Sequence, residues 1–129
     1  MKGPRSTRRS ERGSASVELV VLMPLLLLIL FSGVQGAVYY HASTLALGAA
    51  QEGARVAARE NATLTAGTSA AKGFVTEVAG DSLTAVTITG TRTAATATIT
   101  VRGSSLSLVP GWTPTVEQSA SRPVERITR

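Results

Sequence analysis

Cysteine is absent from this 129-residue chain, which excludes disulfide staples, thiolate nucleophiles and zinc–thiolate sites and leaves the redox compartment unspecified. Histidine occurs once, at His41, so no imidazole cluster can hold a metal, and an exposed or hydrogen-bonded histidine is expected there. Acidic side chains number only eight, and no base lies near a nucleophile in the pattern that covalent or acid–base catalysis requires. The chain therefore reads as a non-enzyme, with no cofactor, no metal and no small-molecule substrate expected. At this length it holds one small globular domain at most.

Charge of one sign is scarce everywhere except at the start. Residues 1–13 carry Lys2, Arg5, Arg8, Arg9 and Arg12 against Glu11 alone, while residues 14–129 hold eight basic and seven acidic residues, a balance of +1. All but one unit of the net charge of +5 thus resides in a short leader that lacks interleaved aromatics, so nucleic acid is not an expected partner. A leader of this kind beside an apolar run instead sets membrane topology.

That run is what the chain does have. Of the thirteen residues Leu19–Phe31, eleven are Leu, Val, Ile or Phe, the others being Met23 and Pro24. On an insertion scale the eleven contribute roughly −3 to −7 kcal/mol, enough to carry a glutamate at the edge and one proline. Extended to Val38 the stretch makes about 30 Å of helix, the thickness of a bilayer core, with Tyr39 and Tyr40 at the level of an interfacial aromatic belt. Membrane lipid is the first expected partner. With Lys2, Arg5, Arg8, Arg9 and Arg12 setting topology, residues 1–13 are placed in the cytoplasm and residues from about 41 outside, as a single-pass protein of the cell membrane. The alternative is a secretory signal peptide, cut after Val34-Gln35-Gly36 and before Ala37, which would release a soluble binding domain.

Glu18 stands at the edge of the apolar run, five residues after Gly13, in the stretch GSASVEL. As a first-turn carboxylate it is favoured by the helix dipole and can snorkel to the headgroups. A cationic leader, a glycine and this glutamate together resemble the processing site of type IV pilin-like precursors. Downstream, Pro24-Leu25-Leu26 and Ala50-x-Glu52-Gly53-Ala54-Arg55 follow in order, and about residues 12–60 resemble the TadE family, minor pilin-like proteins of the tight-adherence (Flp) pilus machinery. Leu19 stands where pilins usually have phenylalanine. The resemblance implies cutting between Gly13 and Ser14 by a prepilin peptidase. It also implies a new amine on Ser14 that pairs with Glu18 of a neighbouring subunit and sets the register of stacked helices. Such a pairing offsets the desolvation of a carboxylate in lipid. Other pilin-like subunits and pilus assembly proteins become the expected partners, and a pilus-associated minor pseudopilin or assembly role the expected function.

Beyond the membrane the helix is expected to continue to about residue 60. Ala42, Ala46, Ala49, Gly53 and Ala57 form a stripe of small side chains along one face, which permits close approach of a second helix or a sheet. Gly33 with Ala37, and Ser32 with Gly36, offer the same small-xxx-small opportunity inside the bilayer. Glu52 and Arg55 are spaced for an ion pair.

Residues 61–129 are read as a small external domain. A second helix is expected from a Thr68 or Ser69 cap to Gly80, through Phe74, Val75 and Val78. LTAVTIT and TAATATITV predict a hairpin turning at Gly90-Thr91, and Val116–Arg122 a last strand bounded by Pro114 and Pro123. Trp112 is expected to cover an edge of the core. The fold class is α+β and membrane-anchored: a leader over 1–13, a pilin-like helix over 14–60 spanning the membrane at about 19–40, and an external domain with a short helix and three or four antiparallel strands.

Overall fold

The computed structural model describes the backbone of residues 5–126 and the side chains of residues 13–126. Lys2 lies outside the described residues. Arg5, Arg8, Arg9 and Arg12 fall where the backbone alone is described. Helix α1 spans Arg5–Ala57 and runs through Pro24 without a break in helical backbone. The chain divides into two compact units, Met1–Val34 and Gln35–Arg129.

In the first unit every described side chain, from Gly13 to Val34, is exposed. Long side chains on all faces of a helix, with none of the described residues covering them, are what a lipid-facing segment presents and what a soluble core helix does not. The helix is long and apolar enough to cross a membrane.

The second unit begins with the α1 residues from Gln35 onward. Helix α2, Leu64–Phe74, follows, then a wider turn over Val75–Ala79 and a short 3-10 turn over Gly80–Ser82. Strands β1 (Leu83–Arg92), β2 (Thr96–Ser105) and β3 (Thr115–Pro123) form an antiparallel sheet in the order β1-β2-β3. Helices pack on one face of this sheet, an α+β arrangement. Ala42, Leu45, Ala46, Ala49, Ala50 and Ala54 of α1 meet Ala71 and Val75 from the α2 side and Leu83, Ile99, Val101 and Val116 from the sheet. The opposite face carries hydroxyls, with Thr98 against Ser121 at 2.7 Å and Thr100 against Ser119 at 3.0 Å, so the period-2 alternation of β2 is sorted into dry and wet faces.

Three expectations change. Helix α2 is capped by Thr63, whose hydroxyl accepts from Ala66 N at 3.1 Å, rather than by Thr68 or Ser69. The extra turn is hidden in sequence because Gly67, a poor helix former, is there for packing: a Cβ on it would lie 2.8 Å from Gly53 O. The hairpin does not turn at Gly90-Thr91. Gly90 sits within β1 opposite Ile99, where a Cβ would lie 2.7 Å from Ile99 Cδ1, and the reversal falls at residues 93–96. There Thr93 Oγ1 accepts from Ala95 N and Thr96 N, at 3.3 and 3.0 Å, doing the work that a glycine turn was expected to do. Trp112, finally, is half-exposed in the loop between β2 and β3 and takes no part in the core. The irregularity between Thr84 and Thr87 coincides with Ala85 at φ 51°, a bulge that bends β1.

Candidate functional site

The residues that drew attention in sequence lie along one helix in two different environments. Gly13, Ser14 and Glu18 are exposed on α1 in the first unit, and the Gly13–Ser14 bond lies within helical backbone. A Cβ on Gly13, Gly33 or Gly36 would meet nothing within 4 Å, and Ala37 is exposed. These positions leave room for another helix.

Ala46 and Gly53 are spent inside the chain. Ala46 is fully buried among the core alanines, and Gly53 lies against α2, where a Cβ would stand 2.8 Å from Gly67 O and 2.9 Å from the Ala71 Cβ. Two glycines facing each other let the helix backbones come closer than any larger side chain allows. The whole stripe, Ala42, Ala46, Ala49, Gly53 and Ala57, is thus buried within the second unit.

Glu52 and Arg55 form the expected pair on the exposed side of α1, with Arg55 Nε donating to Glu52 Oε2 at 3.0 Å and Nη2 to Oε1 at 2.7 Å. These bonds hold the Glu52 carboxyl below its ordinary range, against a small desolvation that opposes them, and hold the Arg55 guanidinium above its own. As a solvent-exposed pair it adds little to stability.

Sequence reasoning missed the residues that fasten α1 to the rest of its unit. Gln35 is buried, and its amide is used at both ends: Nε2 donates to Leu106 O at 3.1 Å, and Oε1 accepts from Leu108 N at 2.7 Å. A side-chain amide here pairs with a loop as a neighbouring strand would. One turn on, the Tyr39 hydroxyl donates to Thr115 O at 3.2 Å. At the far end Arg92 Nε donates to Ala57 O at 2.8 Å, giving a partner and a positive charge to the C-terminus of α1. The one available signal was polarity out of place, a glutamine directly after an apolar run.

Among the described residues no group of three or more His, Cys, Asp or Glu stands where it could hold a metal ion. What the site offers is a helix face, not a reaction centre.

Comparison with known families decides what kind of helix this is. Residues 13–55 match the family model described as TadE-like protein. This segment is similar to TadE-like proteins. It starts at Gly13 and ends at Arg55, so it takes in the exposed Glu18, the apolar run, Gln35 and the alanine face that packs on the sheet. Among curated proteins and among solved structures, none matches the chain. The likeness is confined to residues 13–55, and α2 with the three strands lies outside the matched residues.

Proposed function

We propose that the protein is a minor pseudopilin or assembly component of a tight-adherence pilus, anchored in the cell membrane by the apolar part of α1 and carrying its α+β domain outside. One observation carries this reading: the TadE-like segment coincides with a helix whose described residues 13–34 are exposed on every side and mostly apolar. Such a helix needs lipid or other helices around it. Gly33, Gly36 and Ala37 give neighbouring subunits a close approach, Glu18 registers them, and the arginine-rich leader holds the N-terminus in the cytoplasm.

A prepilin peptidase cuts between Gly13 and Ser14. Because that bond is helical here, the segment must unwind to enter a protease, and glycine lowers helix stability at the point of opening by about 1 kcal/mol relative to alanine. Release by signal peptidase before Ala37 is disfavoured by Gln35, since that cut would remove the side chain bonded to Leu106 and Leu108.

Mass spectrometry of the mature protein tests the reading. A chain starting at Ser14 is expected in cells that contain the peptidase, and the uncut chain when Gly13→Asp is introduced. A start at Ala37 would replace this proposal with a secreted domain, and processing indifferent to Gly13→Asp would move the cut elsewhere.

A further inference from the structure

The loop between β2 and β3 combines two properties that ordinary loops keep apart. Leu106, Leu108, Val109 and Trp112 are 51, 46, 50 and 49 % exposed, and residues 103–116 contain no charged side chain. Single exposed apolar residues are common, but four within seven residues, uncharged, mark a surface that something covers.

The loop's position names the cover. Its backbone is bonded to Gln35, the residue that follows Val34 at the end of the apolar run, and Tyr39 holds Thr115 just beyond it. Gln35 lies within the twenty residues from Leu19 that suffice to cross a bilayer, and the exposed Tyr39 and Tyr40 follow at the level of an aromatic belt. A loop tied to Gln35 is thereby held at the depth where the lipid headgroups meet the acyl chains.

The loop is also built for that place. Backbone groups entering a region poor in water must find partners within the protein. Here Leu108 N and Leu106 O are satisfied by Gln35, Val109 N donates to Ser107 Oγ, Trp112 N donates to Val109 O, and Ser105 N donates to Pro114 O. Trp112 has the amphipathic ring that favours the interface.

We propose that residues 106–112 form a second membrane contact, a wedge that seats the external domain on the lipid surface, with Gln35 as the positioning residue. This rests on the reading of α1 as a membrane anchor. The occupant is the lipid interface, entered to a depth of about 5–10 Å as for other interfacial segments.

Trp112 is the only tryptophan and so reports on itself. The full chain is reconstituted in phosphatidylcholine vesicles, with or without bromine on the upper acyl chain. Expected are a blue-shifted Trp112 emission, strong quenching by the brominated lipid, and protection from acrylamide. Leu106→Ser with Leu108→Ser, both at exposed side chains, should weaken the lipid quenching and restore acrylamide access without changing the far-UV circular dichroism; Gln35→Ala should act the same way by freeing the loop. Acrylamide access with no lipid quenching, in a chain that resists alkaline extraction, overturns the wedge and leaves the anchor standing. Protection that appears only at high protein-to-lipid ratio, without lipid quenching, assigns the loop to a second copy and overturns the proposal. A chain that is extracted at alkaline pH removes the anchor and the wedge together.

Discussion

Glu18 is the residue on which the assembly reading turns, because a carboxylate beside an apolar run is tolerated at the headgroups yet costly any deeper unless paired. Its exposure on α1 makes it available to a neighbouring subunit. Glu18→Ala is therefore expected to leave membrane insertion intact and to reduce recovery of partner subunits in co-purification; equal recovery would remove the registry role. Gly53 is the counterpart inside the protein. Its contact with Gly67 and Ala71 leaves no space for a side chain, so Gly53→Val should cost about 1–3 kcal/mol through overpacking and lower the thermal midpoint of the external domain. An unchanged midpoint would mean that α2 can slide away from α1. Both residues were visible in sequence, Glu18 through its spacing from Gly13 and Gly53 through the stripe it shares with Ala46 and Ala49. Sequence alone left open whether Gly53 faces a partner or its own chain, because spacing along a helix says which residues share a face and nothing of what lies opposite.

At the scale of elements, α1 and the three strands follow from patterns with strong physical signals. The apolar run demands lipid or a covering, and the alternation of Ala97, Ile99 and Val101 with threonines demands a half-buried strand. The failures share a cause. Gly90 read as a turn and Gly67 lowers helix propensity, but each is there to let a neighbour approach, and this belongs to tertiary contact instead of local propensity. The real turn at residues 93–96 relies on the Thr93 hydroxyl, a weaker signal than glycine. Gln35, Tyr39 and Arg92 escaped notice because their partners are backbone atoms far away in sequence, and a backbone carbonyl leaves no mark on composition.

For the whole molecule, the absence of cysteine makes orientation directly measurable. With Ala94→Cys, at an exposed position of the hairpin turn, a membrane-impermeant maleimide should label intact spheroplasts as fully as lysed ones. Labelling only after lysis would reverse the proposed topology. In the proposed orientation the α+β domain meets whatever acidity the surroundings impose, and the chemistry of the groups that fasten it then matters. Long-range ties are made by a carboxamide at Gln35, a phenol at Tyr39 and guanidinium groups at Arg92 and Arg126, each reaching a main-chain atom. None of these groups is a carboxylate or an imidazole. Acid that protonates the Glu52 carboxylate undoes its exposed pair with Arg55, but it meets no carboxylate in the joints themselves, so the domain is expected to hold its shape in media where carboxylate-stapled proteins come apart.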